Sequence, residues 1–200
     1  MAFPEAWEET CLVSIEKASG TPYQFAAITE TVDISEPDVP GESVSTVAGG
    51  RIWKQSPQED GEITLEIYPI ELDTTTGQGL FQQYAGGTWD TSSEPLETDT
   101  AYVASVFDSG QRQRDKFRVA ILWTNDPNAA GAEGTTASST DSLRFYATDC
   151  RMTSHKSAYT DGILKVTATF KFSAFNKAGT TKNYAWQSAD QTALEALAAY

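Results

Sequence analysis

His155 is the only histidine in the chain, and it stands in "MTSHKSAYTDG", five positions after Cys150 and six after Asp149. An imidazole that activates a thiol or hydroxyl, with a carboxylate orienting the ring, is the chemistry such a grouping could perform. Nothing else in the sequence supports it. Ser and Asp are abundant enough that a triad can be drawn around any histidine, and G-x-S-x-G, H-E-x-x-H, a Walker loop and C-x-x-C are all missing. "GQGLFQ" (77–82) fails the dinucleotide fingerprint at its last glycine. A solvated histidine near a turn is the expectation, and a hydrolase built on His155 is kept as a third reading.

Carboxylates are the other candidate reagents. Glu62 and Glu66 share one face of "GEITLEIYPIEL" (61–72), but four residues of strand set them about 13–14 Å apart, wider than the roughly 5–9.5 Å of a glycosidase pair. With Thr64 between them they read as an acidic and hydroxyl row, opposite the aliphatic row Ile63, Leu65, Ile67. "QEDGE" (58–62) lacks the ligand spacing of a calcium loop and reads as a solvated turn. Cys11 and Cys150 show no metal-ligand spacing, so two buried small apolar side chains are expected, with a disulfide between them left open. Neither a catalytic, a cofactor nor a metal site follows from the sequence.

The elements that must position these residues are strands. "TCLVSI" (10–15), "YQFAAITETVDI" (23–34), 61–72, "TAYVASVF" (100–107), "KFRVAILWT" (116–124), "LRFYATDCRM" (143–152) and "GILKVTATFKFSAF" (162–175) alternate with period two. In the last, Leu164, Val166, Ala168, Phe170, Phe172 and Ala174 share one face, and Lys165, Thr167, Thr169, Lys171 and Ser173 the other. Asp161-Gly162 is a tight hairpin signal, so 143–152 and 162–175 are expected to pair antiparallel. "GLFQQYAGG" (79–87) and "SADQTALEALAAY" (188–200) read as amphipathic helices, the second capped at Ser188. Residues 33–43 and 54–62 read as polar, Pro-bearing loops, and 125–142 as a long small-residue excursion with a mobile tip. No repeat of 20–50 residues interrupts what reads as one domain, 1–200.

Two hundred residues with five Trp, eight Tyr and nine Phe can bury roughly 70% of their extended surface around a real core. A net charge of −14 argues against binding nucleic acid by phosphate neutralisation and against an anionic membrane surface. The charge is uneven: residues 1–100 hold 3 basic and 19 acidic side chains, residues 101–200 hold 11 and 9. Such asymmetry suits head-to-tail association of copies, and folding could equally mix the halves on one surface. With 25 Thr and only 8 Lys, the acidic excess also fits a saline cytoplasm, where screening shortens to about 3 Å at 1 M. No basic residue precedes Lys17 and the apolar run "VAILW" is short, so neither a signal peptide nor a membrane span is expected.

Taken in order, "AITETVDI", "AGGRIWKQSPQEDGEITLEIYPIEL", "RDKFRVAILWTND" and "YTDGILKVTATFKFSAFNKAG" resemble the tail tube (major tail) proteins of tailed viruses, particularly those infecting halophilic archaea. The resemblance runs from about Tyr23 to the C-terminus; residues 1–22 add little to it, and tubes of contractile tails and injection machines belong to the same family. It implies a mainly β fold, a tail-tube-type β-sandwich with a flanking α-helix and a C-terminal helix, whose strands complete an inter-subunit β-barrel in a hexameric ring. Stacked rings would form a virion tail tube, assembled in the host cytoplasm, through which double-stranded DNA passes without specific binding. Partners would be further copies of the chain and other tail proteins: tape measure, tail terminator, and baseplate or distal tail. On this reading Glu62, Thr64 and Glu66 line the channel, with Glu30 and Asp33 beside them, and Lys165 and Lys171 lie outside it or in ion pairs between copies. Gln55, Ser56, Pro57, Gln58, Glu59 and Asp60 reach the next ring. The rival from another class is a monomeric ligand-binding β-barrel or sandwich of a halophile, its aromatic residues lining a pocket.

Overall fold

The computed structural model describes residues 10–17, 23–24, 29–68, 87–89, 101–103, 116–124 and 142–189. Every regular element among them is a strand: β1 (Thr10–Lys17), β2 (Tyr23–Gln24), β3 (Thr29–Ser35), β4 (Gly41–Ser45), β5 (Arg51–Gln55), β6 (Gly61–Ile67), β7 (Gly87–Trp89), β8 (Ala101–Val103), β9 (Lys116–Thr124), β10 (Ser142–Thr160), β11 (Ile163–Phe172) and β12 (Tyr184–Ala189). Eight of them form one antiparallel sheet in the order β2-β1-β9-β10-β11-β6-β3, with β12 also on β10. The pairs β4-β5 and β7-β8 stand apart as two-stranded ribbons.

The 19-residue β10 decides the architecture. Its first half pairs with β9 and β12, its second half with β11, and the ladder slips between Ala147 and Cys150 and again between Met152 and Ser154. Bulges bend a strand and increase its twist, so the β11-β6-β3 half of the sheet swings over the β1-β9 half. Phe117 of β9 meets Phe170 of β11 edge-on at 5.4 Å, and Phe145 meets Phe172 at 6.0 Å. Between the halves lie Val13, Ile15, Ile63, Leu65, Ile67, Val119, Ile121 and Val166, all buried. The result is a β-sandwich made from a single folded sheet, with β2 and β3 at its two ends and, among the described residues, no closure into a barrel.

Local pattern and structure agree where burial is one-sided. β6 alternates buried and half-buried along its length, and β11 buries Val166, Ala168, Phe170 and Phe172 while Lys165, Thr167, Thr169 and Lys171 turn away. β9 starts and stops where the sequence places it, and β10 and β11 join through Asp161 and Gly162 at φ 54° and 80°, the geometry of a two-residue hairpin turn. β9 departs from simple alternation because both its faces are buried. Ala120, Leu122 and Thr124 on its second face are fully covered, and Arg118, almost fully buried, forms an ion pair with Glu16 on β1.

Three expectations are corrected. The segment read as the start of a C-terminal helix at Ser188 is the end of β12, because Tyr184 and Trp186 pack their rings on Phe145 and hold the chain extended beside β10. Residues 190–200, the helix read at 79–87 apart from Gly87, and the excursion 125–142 apart from Ser142 lie outside the described residues. Residues 33–43 and 54–62 are strand at both ends, and only their middles, 36–40 and 56–60, are irregular connections, which run side by side. The β3-β6 ladder ends at Ser35 opposite Glu62, the Glu59 and Ser56 N–H groups donate to the Asp38 and Pro40 carbonyls (both 2.8 Å), and pairing resumes at Gly41 opposite Gln55. Residues 29–67 are therefore one long ribbon whose inner part belongs to the sandwich and whose outer part, β4-β5, is an arm reaching about 35 Å beyond Ser35.

The arm carries its own stabilisers. Trp53 lies on the backbone of Gly41, so closely that a Cβ there would stand 2.4 Å from the ring. At the tip, Thr46 N–H donates to the Gly50 carbonyl (2.8 Å), and Gly49 closes the turn at φ 82°. At the root a Cβ on Gly61 would meet the Phe172 ring at 2.5 Å and Pro37 Cδ at 2.8 Å. Gly61→Ala should therefore cost about 1–3 kcal/mol by forcing Phe172 out of its place. Urea unfolding measures it, and a loss below about 0.5 kcal/mol would show that the ring has room to move.

Candidate functional site

The outward face of β3, β6, β11 and the second half of β10 collects the residues assigned to the channel. Register sets Thr31 beside Glu66 and Thr167, Asp33 beside Thr64 and Thr169, and Ser35 beside Glu62 and Lys171. Glu62, Thr64, Glu66 and Asp33 thus share one face, and the backbone of Glu30 falls in β3 where its ladder slips between Thr29 and Thr31. Thr64 and Thr169 approach hydroxyl to hydroxyl at 3.4 Å, and the Thr31 hydroxyl donates to Glu66 Oε2 at 3.4 Å.

The two lysines meet carboxylates of their own copy. Lys171 Nζ lies 3.5 Å from Glu62 Oε2, and Lys165 Nζ lies 3.7 Å from Glu66 Oε1 and 5.3 Å from the centre of the Tyr68 ring. Both ion pairs are within one copy. The cause is the sheet order: β11 lies against β6, Lys171 directly opposite Glu62 and Lys165 on the diagonal to Glu66, the two cross-strand positions whose long side chains can meet. The row that reads as purely acidic in the sequence is a charge-paired, hydroxyl-rich surface. These pairs are partly or half exposed, so they shape the field of the face more than the stability of the fold.

The residues assigned to ring stacking occupy the arm. Gln55 ends β5, and Ser56 to Asp60 form the irregular return side of its stalk, exposed throughout. What the sequence reading missed is the apolar surface beyond them: Val44, Ile52 and Trp53 are 44%, 61% and 66% exposed, and Val47 at the tip is wholly exposed. Val44 and Ile52 are a cross-strand pair. The signal was present in "ESVSTVAGGRIWK", two alternating runs around a glycine turn. The arm's other root is tied to β12, where Glu36 Oε1 accepts the Trp186 indole N–H at 2.7 Å. Burial and the Glu36 carboxylate together push the Tyr184 phenol above its ordinary value. Trp186 in turn stacks on Trp123 at 5.6 Å.

The groups considered for chemistry are kept apart. Cys150 is free and fully buried; burial, with the Asp149 charge adding, raises its thiol far above the usual range. His155 is half-buried, and burial lowers its imidazole below the ordinary value. Five residues of strand put roughly 17 Å between them, so no thiol–imidazole pair forms. Cys11 is opposite Trp123 and Cys150 opposite Phe117, which separates the two by about 20 Å along β9, out of disulfide reach. Among the described residues no group of three or more His, Cys, Asp or Glu could hold a metal ion, and no helix is long and apolar enough to cross a membrane.

Two expected outcomes follow from this geometry. Replacing Glu62 and Glu66 together by Gln should change unfolding stability by no more than about 1 kcal/mol, yet leave Lys165 and Lys171 unmatched, so the variant should be retained on immobilised duplex DNA at low salt while the unaltered protein flows through. Equal elution would mean the carboxylates do not neutralise that face. Separately, a disulfide reagent should modify Cys150 only in denaturant; rapid labelling of that thiol in the folded protein would contradict its burial.

No protein-family model and no curated protein matches the sequence. Among solved structures the chain is similar to the sheath/tube terminator of an extracellular contractile injection system in its extended state, with a TM-score of 0.49 and 13% identity over 93% of this chain and 98% of the other. It is similar to the tube-terminating cap of the anti-feeding prophage, with a TM-score of 0.49 and 10% identity over 94% of each chain. A third likeness is to the sheath-tube complex of an extracellular contractile injection system in its extended state, with a TM-score of 0.46 and 13% identity over 88% of each.

Proposed function

We propose that the chain is a structural subunit of a viral tail tube or a tube of that kind, with no reaction of its own. Copies associate side by side into hexameric rings, and rings stack into a hollow tube that passes double-stranded DNA. The observation that carries the reading is the β4-β5 arm. A two-stranded ribbon is marginal by itself in water, yet this one extends from the sandwich, pinned at both roots, and offers Val44, Val47, Ile52 and Trp53 to solvent. Exposed apolar residues on a built projection mark an association surface. The occupant is a second copy of this chain. Ribbon 29–67 holds 9 acidic and 2 basic residues, whereas the stretch 142–189 holds 2 acidic and 7 basic, so the projecting element of one molecule is electrostatically matched to the body of another. An unlike-patch contact of this kind closes into rings or propagates along an axis.

The charge-paired face suits the channel wall. Duplex DNA is held by lysines that neutralise its phosphates and release counterions; here Lys165 and Lys171 are already matched by Glu66 and Glu62, and threonine hydroxyls keep the surface wet. The order of the motifs from Tyr23 onward supports the same assignment. Tape-measure, terminator and baseplate proteins would be the further partners, and the mature location the virion tail.

Negative-stain images and size-exclusion profiles test the proposal. The unaltered protein should give rings or tubes as concentration rises, and Val44→Asp with Ile52→Asp should give folded single copies of unchanged thermal midpoint. A protein that stays monomeric at every concentration and salt level overturns the tube reading, and normal tubes from the double variant overturn the role of the arm.

A further inference from the structure

An open cleft of about 620 Å³ lies where the bend of β10, the end of β11 and the turn 173–183 meet. Arg151, Lys171 and Lys177 reach it from these three elements, Phe172 and Phe175 form part of its wall, and Asp60 and Asp149 are its acidic members. In a chain with 14 basic residues against 28 acidic ones, this convergence of cations stands out, and a fourth, Lys116, lies behind Asp149. Arg151 and Lys171 are directly opposite in the ladder, an unfavourable placement for like charges. Carboxylates stand beside both cations. Asp149 Oδ1 is 2.7 Å from Lys116 and 3.4 Å from Arg151, and Lys171 is 3.5 Å from Glu62.

Lys177 takes part in no ion pair among the described residues, and its backbone is held in place. Asn176 Oδ1 accepts the N–H groups of Thr180 (3.0 Å) and Thr181 (3.3 Å), Asn176 N–H donates to the Thr181 carbonyl (2.9 Å), and Gly179 takes φ 70°. The third cation is thus offered by a stitched turn, and the aromatic wall lowers the local dielectric on one side, which strengthens any charge interaction.

We propose that this cleft binds a small oxyanion of two or more negative charges, held between Arg151 and Lys177, with Lys171, which pairs with Glu62, at its edge. The guanidinium supplies a planar two-donor fork and Lys177 supplies a point charge. The chain's net charge opposes the anion at a distance, so affinity is on the order of 1 mM and weakens with salt. The shared chemistry is that of a phosphate or a pair of carboxylates, and the site is complete within one copy.

Calorimetric titration of the unassembled protein with inorganic phosphate and, in parallel, citrate, at matched ionic strength, is the test. Saturable binding by at least one anion is expected, and the tighter of the two identifies the source as phosphate or carboxylate. Lys177→Gln and Arg151→Lys should each weaken it roughly tenfold, the second by losing the fork while keeping the charge, and Lys54→Gln on the arm should leave it unchanged. An absence of saturable binding by both anions, or equal binding by all three variants, overturns the proposal. Since no step requires rings or tubes, a negative result here leaves the assembly reading standing, and the reverse also holds.

Discussion

One strand serving two layers is the constraint on which the remainder of the structure depends. β10 gives its first half to β9 and β12 and its second half to β11, and the change of direction takes place at the two slips in its ladder. Asp149 sits at the first slip with φ 55°, a conformation that costs a non-glycine residue energy unless its surroundings hold it. Lys116 and Arg151 on its carboxylate are part of that hold, and the buried Cys150 next to it anchors the backbone to the core. Straighten β10 and Phe117 no longer faces Phe170; the two halves of the sheet would then each expose an aliphatic face to water, at a cost of about 1.5–3 kcal/mol for every large side chain uncovered.

The bend also decides what the outer part of the molecule can do. By bringing β11 down beside β6 it places Phe172 against Gly61 and Pro37, where the ribbon leaves the sandwich. The opposite root is held through Glu36 on Trp186, a residue of β12, which is itself held by the first half of β10. Both roots of the arm are therefore fixed by strands that β10 organises. An arm with a fixed direction loses little conformational entropy when a second molecule meets it, which is the advantage of preorganisation in association.

How much of this was legible in the sequence varies with the range of the interaction. The limits of β9, the alternation of β6 and β11 and the Asp161-Gly162 turn are local, and period and turn chemistry encode them directly. The run "VAILW" even carried the mark of a strand covered on both faces, a continuous apolar stretch. The pairing of Lys171 with Glu62 joins residues more than 100 positions apart and depends on strand order, which no local pattern records. β12 was hidden by a competing local signal: Ser188 and Gln191 have capping-box spacing, whereas the packing of Tyr184 and Trp186 on Phe145 is a long-range contact that no local pattern records. The arm was obscured because its stalk is built from Pro37, Pro40 and Pro57 with acidic neighbours, and such composition in an exposed ribbon cannot be told from a loop by residue type alone.

The uneven charge of the chain takes its meaning from the same topology. An acidic first half and a milder second half suggest two separate patches, but β6 and β11 come from different halves and are adjacent strands, so on the outward face of the sandwich the excess is largely cancelled within the molecule. Glu42, Asp38 and Glu59 follow the arm and its stalk, whereas Lys177 and Lys182 sit on the turn beyond β11. At the root of the arm the two meet within one molecule, since Asp60 and Lys177 line the same cleft. Farther out along the arm, only contacts within about 8 Å would retain their attraction at physiological ionic strength. Among the described residues the fold thus places ion pairs on the outward face of β6 and β11, while the arm with its stalk and the turn beyond β11 carry charges of opposite sign.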